Sequence, residues 1–143
     1  MTKRDPVQIG IAVVESDGWY LIGTRRTGQA LAGLAEFPGG KCEAGESPVD
    51  CAVRECREET GISVVAVRLL ERKCHEYAHA NVDLHFWLCR VAGPHDELTD
   101  TKQKPANGFL WKSVDELRQL SFPDANTSVV EMLISMSESR RDS

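Results

Sequence analysis

The chain has 143 residues, of which 41% are apolar and 27% charged, a composition typical of a soluble globular protein with one buried core. Its formal net charge of −5 argues against a nucleic-acid polymer as the main partner, because such binders usually carry a basic patch. The first ten residues lack the apolar core of a signal peptide, and no apolar run is long enough to span a membrane. We therefore expect a single cytoplasmic domain over residues 1–143 that does not bind membranes.

The chain opens with a predicted β-hairpin. Residues 7–14 (VQIGIAVV) are apolar and β-branched, Asp17-Gly18 is a hairpin-turn signal, and residues 19–22 form the second predicted strand. Arg25 and Arg26 follow this hairpin. A guanidinium group binds phosphate oxygens through two parallel hydrogen bonds, so the pair is either a phosphate clamp or ordinary surface charge.

Residues 40–62 (GKCEAGESPVDCAVRECREETGI) combine a glycine-containing turn with a well-marked helix. Ser47 is a good N-cap, Pro48 suits the first helical position, and Asp50 can complete an arrangement like a capping box. Gly61 supplies the C-terminal stop. One side of the helix is apolar and is expected to pack on the core, through Val49, Ala52, Val53 and Cys56.

Three carboxylates lie on one face of this helix, because Glu55, Glu58 and Glu59 stand at relative positions 0, +3 and +4. Such closely stacked like charges repel unless a positive group lies against them. Oxygen ligands without a nearby His or Cys set favour Mg2+ or Mn2+ over zinc, and Mg2+ usually accompanies substrate phosphates. The pattern predicts phosphoanhydride chemistry, and its alternative is a solvated acidic face.

The second half of the chain predicts two more strands, at residues 63–70 and 82–91, with residues 75–77 leading toward a turn near Ala80-Asn81. Phe86 and Trp87 are expected on opposite faces of the later strand, where either could line a base pocket or pack in the core. Residues 93–108 are polar and predict a long surface loop.

The C-terminal region predicts a short strand and two helices. The strand is expected at residues 109–111, and Ser113 to Glu116 form a capping-box signature that begins a helix ending at Leu120. Residues 122–126 interrupt the helical pattern, and residues 127–136 predict a final amphipathic helix followed by a polar tail that frays. This order of elements favours an α+β or α/β sandwich with a mixed sheet.

The number of cysteines is odd, and they show no CxxC or Cys/His ligand spacing. Reduced thiols are expected for a cytosolic protein. No His lies near Cys42 or Cys51 in sequence to suggest a nucleophile, so a structural or incidental role is predicted for both. The five cysteines are Cys42, Cys51, Cys56, Cys74 and Cys89.

Gly40, Glu46 and the run from Arg54 to Ile62 (RECREETGI) resemble the Nudix box of the Nudix hydrolase superfamily at every fixed position. Cys56 is a soft match, because the family usually has a larger aliphatic residue there. The resemblance implies an α/β/α sandwich, with a mixed curved β-sheet between helices and the box forming a loop–helix–loop. It also implies hydrolysis of a nucleoside diphosphate linked to another moiety.

The resemblance also assigns roles to the residues of the box. Glu58 and Glu59 match metal ligands, Glu55 matches a ligand or the general base, Glu46 assists, and Arg54 orients the acidic cluster by ion pairing. The carbonyl of the glycine before the box, here Gly39, often adds a ligand in this family. Many relatives take one more carboxylate from a later loop, and the candidates for it here are Glu97 and Asp100.

Residues 36–46 (EFPGGKCEAGE) resemble the MutT branch, which removes pyrophosphate from nucleoside triphosphates, including 8-oxo-dGTP. Residues 122–126 (FPDAN) are similar to the branch's late Phe-Pro-x-Ala-Asn, whose asparagine contacts the purine edge, although Asn126 also suits a helix cap. Leu110 stands where that branch carries a metal-binding glutamate. The predicted substrate-binding residues are Arg25, Arg26, Phe37, Lys41 and Asn126.

Two other functions remain open at this point. The first is a Nudix hydrolase of dinucleoside polyphosphates, for which Tyr77 is a weak signal, or of nucleotide sugars or NADH; the ADP-ribose branch is disfavoured because no proline occurs between Gly61 and Pro94. The second is a non-catalytic nucleotide-binding domain, which the intact Glu55, Glu58 and Glu59 set argues against. The sequence does not determine whether the protein is a monomer or a homodimer.

Overall fold

The computed structural model describes residues 6–29, 31–76, 80–93 and 103–141. The strands are β1 (Val7–Ser16), β2 (Trp19–Thr24), β3 (Ala35–Glu36), β4 (Gly39–Lys41), β5 (Val64–Glu76), β6 (Asn81–Val91) and β7 (Leu110–Ser113). The helices are α1 (Pro48–Thr60), α2 (Val114–Gln119) and α3 (Thr127–Arg141), with one 3-10 turn at Asp124–Asn126 before α3.

The strands form a mixed sheet in the order β3-β2-β1-β6-β5, with β4 paired to β1 and β7 paired to β2. The predicted hairpin is confirmed, because β1 and β2 are antiparallel and the turn residues Asp17 and Gly18 have φ angles of 48° and 83°. β1 and β6 are parallel, with Ile9 opposite Leu84. Register shifts in the β5–β6 ladder mark bulges, which bend a sheet.

Helices cover both faces of the sheet. Ile11 and Val13 of β1 face α2 and α3, in a core that includes Phe86. Ala12 and Val14 face α1, in a second core against which Trp87 packs. Because β1 is buried on both faces, its sequence is a continuous apolar run and does not alternate. The predicted α/β/α sandwich is confirmed, and both aromatic residues serve the cores.

Gly10 lets α1 lie directly on β1. A Cβ at this position would lie 2.7 Å from the backbone nitrogen of Ala52 and would also collide with the carbonyl oxygen of Pro48. Such backbone atoms cannot move aside without shifting the helix. The absence of a side chain at Gly10 therefore sets the depth of the helix that carries the acidic residues.

Two sequence predictions are corrected in the longer elements. β5 does not end near residue 70 but pairs with β6 as far as Glu76 opposite Asn81, because tertiary pairing overrides the charged composition of its second half. The tail expected to fray is helical through Arg141. Glu138 accepts a 2.8 Å bond from Arg118 and Arg140 donates a 2.7 Å bond to Glu15, which attach the last turns to the domain.

The capping box at the start of α2 is confirmed, with Ser113 and Glu116 each bonded to the other's backbone N–H. No helix among the described residues is long and apolar enough to cross a bilayer. Tyr77, Glu97 and Asp100, which the sequence analysis named, lie outside the described residues.

Candidate active site

The caps of α1 fix the orientation of its acidic face. The Ser47 hydroxyl accepts from the Asp50 backbone N–H at 3.2 Å, Pro48 is the first helical residue, and Gly61 ends the helix with φ of 77°. These three predictions are confirmed. The residues buried against the sheet are Cys51, Ala52, Cys56 and Thr60, so the opposite side turns Glu55, Glu58 and Glu59 away from that core.

Arg54 holds the acidic residues of the box together. Its guanidinium binds Glu46 through two parallel hydrogen bonds, of 2.7 Å from Nε and 2.9 Å from Nη2. Its Nη1 donates to Glu55 Oε1 at 3.0 Å and to Glu58 Oε2 at 2.9 Å. One cation thus connects three carboxylates from the loop and the helix. The Arg54 hydrogen bonds lower the pKa of Glu46 to about 2, so Glu46 is a carboxylate at neutral pH.

Glu59 points in a different direction, toward the β4 backbone. Its Oε1 accepts from the Gly39 N–H at 2.8 Å. Burial raises the pKa of Glu59 to about 7, and the charges of Glu55, Glu36 and Glu58 act in the same direction. The Gly39 hydrogen bond opposes this shift. The ionised carboxylates of the site therefore carry more negative charge than the Arg54 guanidinium can balance.

The donor set fits a hard divalent cation. Glu55, Glu58 and Glu59 offer only oxygen atoms, and burial, with a further contribution from the neighbouring carboxylates, raises the pKa of Glu59. A divalent cation would favour the fully ionised set, and Mg2+ and Mn2+ prefer such ligands. The Gly39 carbonyl lies on the same strand residue whose N–H binds Glu59, so it is a further candidate ligand.

A cleft of about 440 Å³ opens on the sheet face opposite α1. Its floor is apolar, formed by Ile9 and Ile11 of β1 with Val82 and Leu84 of β6. Phe37 also lines the cleft, and its ring stacks on Phe122 at 5.3 Å between centroids and 24° between planes. The other cleft residues are Arg25, Leu31, Glu36, Gly39, Gly40, Ala80, Pro123, Ala125 and Asn126.

The cleft meets the acidic helix through Gly39 and Gly40. Gly39 donates to Glu59, as described above. The carboxylate of Glu55 lies against Gly40 so closely that a Cβ on Gly40 would be 2.6 Å from Glu55 Cδ. A ligand in the cleft would therefore reach two of the three glutamates across only the β4 backbone.

The structure separates the predicted substrate-binding residues into two groups. Arg25, Phe37 and Asn126 line the cleft, and Arg25 Nη1 binds Glu36 Oε1 at 3.3 Å. Arg26 and Lys41 are exposed and are not among the cleft-lining residues. Leu110, which stands in place of the expected glutamate, is 54% exposed on β7.

Sequence analysis missed Glu36 and the apolar floor. Glu36 lies within the 36–46 motif, but its approach to Arg25 depends on a contact between β3 and the end of β2. Burial raises the pKa of Glu36, and the charges of Arg25 and Arg26 oppose this. The alternation of Ile9 and Ile11 along β1 was the available signal for the floor, since both side chains fall on one face of a strand.

We expect Gly40→Ala to lower kcat about tenfold without unfolding the protein. The new methyl group would displace the Glu55 carboxylate, and a 1 Å misplacement can reduce a rate by about 100-fold. The effect should be smaller here because that carboxylate ends a flexible side chain. Gly10→Ala is the contrasting variant. Its methyl group would collide with the backbone of Pro48 and Ala52, which cannot move aside, so this substitution should lower Tm. Full activity in Gly40→Ala would contradict the contact between Gly40 and Glu55.

The Glu59 carboxyl makes a prediction about stability in the metal-free protein. Its pKa is raised from 4.5 to about 7 in the folded state, so the folded state binds the proton more tightly. Stability should therefore fall as pH rises from about 4.5 to 7. Because the carboxyl is only partly buried, we expect the free energy of unfolding to decrease by about 1 kcal/mol, which corresponds to a decrease in Tm of about 3–5 °C.

Thermal unfolding in EDTA across this pH range checks the prediction. Glu59→Gln keeps an oxygen acceptor for the Gly39 N–H but has no carboxyl to titrate. Its Tm should therefore not show this part of the decrease with rising pH. If Tm depended on pH in the same way in both proteins, the pKa of Glu59 would not be raised in the folded state. Adding Mg2+ should reduce the decline in the unsubstituted protein, because a cation stabilises the ionised carboxylate.

Comparison with known proteins agrees with this fold. The NUDIX domain family matches residues 10–132. The 8-oxo-dGTP diphosphatase of Escherichia coli K12 is 34% identical over 128 residues, covering 89% of this chain and 95% of that protein. The CTP pyrophosphohydrolase of the same organism is 29% identical over 134 residues, covering 94% and 96%.

A solved structure supports the same assignment. The solution structure of the Escherichia coli ORF135 protein is 28% identical to this chain, with a TM-score of 0.72, and the match covers 94% of this chain and 92% of that one. The chain therefore belongs to the NUDIX domain family, and its fold is the Nudix fold. It is a Nudix hydrolase of phosphoanhydride bonds, similar to MutT-like pyrophosphohydrolases.

Proposed function

We propose that the protein hydrolyses nucleoside triphosphates to monophosphate and pyrophosphate with Mg2+, acting on oxidised or non-standard purine nucleotides such as 8-oxo-dGTP. The observation that carries the proposal is the continuity of the cleft. One largely apolar space of about 440 Å³ is lined both by Phe37 and Asn126 and by Gly39 and Gly40, which contact Glu59 and Glu55. This volume is within the range of small-ligand sites.

The base end of the cleft suits a purine. Phe37 stacks on Phe122, so its ring position is fixed before a base arrives. The Asn126 side-chain amide donates a long 3.4 Å bond to the Pro123 carbonyl, and its oxygen has no hydrogen-bond partner in the part of the chain that is described. An amide offers both a donor and an acceptor to a guanine-type edge. Among the described residues the Asn126 side chain makes no capping bond to α3, which supports this use of its amide.

The phosphate end uses the acidic face of α1. Glu55, Glu58, Glu59 and the Gly39 carbonyl would hold Mg2+, which when bound neutralises phosphate oxygens and lowers the pKa of water. Among these groups, Glu55 Oε2 has no hydrogen bond within the described residues, whereas Oε1 binds Arg54. We assign Glu55 to accept the proton of the attacking water, because its carboxylate lies against Gly40 at the cleft.

Arg54 and Glu46 act by positioning. Glu46 occupies Nε and Nη2 of Arg54, which leaves Nη1 directed at Glu55 and Glu58. The loop residue thereby sets where the helix carboxylates stand. The Glu46 carboxylate also accepts from the Glu43 backbone N–H at 3.0 Å, which fixes its own position in the turn. Arg25 supplies positive charge in the cleft for phosphate oxygens, although it is paired with Glu36 in the free protein.

The test is a hydrolysis screen with Mg2+ over canonical and oxidised nucleoside triphosphates, dinucleoside polyphosphates, nucleotide sugars and NADH, with the products separated by chromatography. We expect monophosphate and pyrophosphate, with the highest kcat/KM for an oxidised purine triphosphate. A preference for CTP would instead favour a CTP pyrophosphohydrolase activity, the activity for which one relative is named. Cleavage of only a diphosphate-linked compound would refute the triphosphate proposal, and no cleavage would favour a binding domain.

Asn126→Ala should reduce discrimination between 8-oxo-dGTP and dGTP or dATP by about fivefold, because one well-placed hydrogen bond contributes about 1 kcal/mol. Turnover of a poor substrate should change less than this ratio. The measurement is kcat/KM for each nucleotide in the variant and the unsubstituted protein. An equal loss on every base would indicate that Asn126 only supports the start of α3.

A further inference from the structure

A second group of potential ligands lies beside the Arg54 cluster. The Sγ atoms of Cys42 and Cys51 and a carboxylate oxygen of Glu46 all lie within 4.8 Å of one another. Cys42 follows β4, Glu46 belongs to the turn before α1, and Cys51 is in the first turns of α1. The box loop brings these residues together as it folds back over the start of the helix, where Cys42 N–H donates to Gln8 O at 2.9 Å.

The chemistry of this group differs from that of the glutamate face. Two sulfur atoms and one carboxylate oxygen suit a zinc-like cation, which binds such ligands tetrahedrally and can take water in the fourth position. Mg2+ prefers oxygen atoms and does not select thiolates. The two groups therefore favour different cations, even though both are connected to Arg54.

We propose that Cys42, Glu46 and Cys51 form a binding site for a soft divalent cation of the zinc or cadmium class, and that its occupation slows hydrolysis by drawing Glu46 from Arg54. Both thiols lose their protons to solvent as the cation binds, and apart from these two S–H bonds no covalent bond of the protein is broken. The site itself is independent of the substrate, whereas its effect on hydrolysis rests on the proposed function.

The contacts of Glu46 provide the first link to the catalytic face. Both of its oxygens bind Arg54, so a cation that takes one of them must weaken the two parallel hydrogen bonds. Arg54 would remain paired with Glu55 and Glu58, and Glu43 lies 3.3 Å from its Nε. The guanidinium can therefore release Glu46 without becoming an isolated charge, but its position over the helix carboxylates would change.

The contact of Cys51 provides a second link. Its thiol donates to the Gly40 carbonyl oxygen at 3.2 Å, and Gly40 is the residue against which the Glu55 carboxylate lies. Burial raises the pKa of the Cys51 thiol to about 12, so the cation-free protein keeps this donor. A thiolate bound to a cation has no proton to donate. Occupation would thus release the β4 backbone next to Glu55.

Cadmium titration of the reduced protein, followed by thiolate-to-metal charge-transfer absorbance in excess Mg2+, tests the site directly. We expect one equivalent to bind. Cys42→Ser should weaken binding at least 10–100-fold, the range for losing a supporting group at a metal site. Cys74→Ser removes an exposed cysteine elsewhere and should bind as the unsubstituted protein does. An unchanged titration in Cys42→Ser would overturn the site.

Hydrolysis measured in the same solutions tests the coupling. One equivalent of Cd2+ should lower kcat about tenfold in the unsubstituted protein and in Cys74→Ser, but not in Cys42→Ser. If circular dichroism shows that Cys42→Ser does not fold, Cys51→Ala is a second variant that removes the site. Binding without any effect on kcat would overturn the link to Arg54. Because absorbance needs no substrate, failure of the triphosphate assignment would leave the test of the site intact.

Discussion

Glu58→Gln should lower kcat for triphosphate hydrolysis by about 10²–10³-fold, the loss typical of removing one electrostatic group that acts in the transition state. The amide can still accept the hydrogen bond from Arg54 Nη1. It cannot supply negative charge to a hard cation. The side chain is 58% exposed, so Tm should be almost unchanged. Steady-state kinetics with varied Mg2+, beside thermal unfolding, measures both effects.

Glu43→Gln is the matched control for this prediction. Glu43 also lies near Arg54, at 3.3 Å, but its side chain is 68% exposed and belongs to the loop, not to the helix face. Exposed ion pairs of this kind contribute little, so kcat should stay within about twofold. Full activity in Glu58→Gln would refute its assignment as a metal ligand. An equal loss in both variants would mean that net charge near Arg54, and not the helix face, decides the rate.

The parts of the site that the sequence could predict are local. The cap at Ser47, the stop at Gly61 and the shared face of the glutamates depend on spacings of three or four residues along one helix, which periodicity and capping rules describe. The hairpin at Asp17-Gly18 is local as well. The Nudix resemblance then supplied the layer order, which propensity alone does not determine.

The cleft could not be predicted in this way, because its walls come from distant parts of the chain. Ile9 meets Leu84 only through the parallel pairing of β1 with β6. Phe37 meets Phe122 because the segment after α2 lies against β3, where the Ala35 N–H donates to Ser121 O. Apolar residues at these positions would be equally consistent with an ordinary core. The sequence therefore indicated which residues could bind a base, but not that they surround one space.

The group formed by Cys42, Glu46 and Cys51 also could not be predicted from the sequence. Cys42 and Cys51 are nine positions apart, which matches no ligand spacing, and sequence analysis accordingly expected a structural or incidental role. The loop–helix geometry brings their sulfur atoms within 4.8 Å of each other and of the Glu46 carboxylate. Sequence spacing describes ligands that share one element, whereas this group joins a loop to a helix.

Arg54→Lys should lower kcat/KM about 100-fold, at the upper end of the range of 10–100-fold for partners that orient metal ligands. Lysine keeps the positive charge but has one nitrogen, so it cannot bind Glu46 through two parallel bonds while reaching Glu55 and Glu58. The helix carboxylates would lose their fixed arrangement. The Mg2+ concentration for half-maximal activity should rise together with the loss of rate, which separates a positioning role from a purely structural one.

Arg57→Lys makes the same chemical change on the same helix, at an exposed position. Among the described residues, the Arg57 side chain contributes no hydrogen bond to Glu55, Glu58 or Glu59. Its kinetics should match those of the unsubstituted protein. Equal activity of Arg54→Lys and Arg57→Lys would show that charge alone suffices at residue 54. A loss of rate in Arg54→Lys with no change in the Mg2+ requirement would instead place Arg54 in direct contact with substrate, because the guanidinium would then act on phosphate and not through the carboxylates.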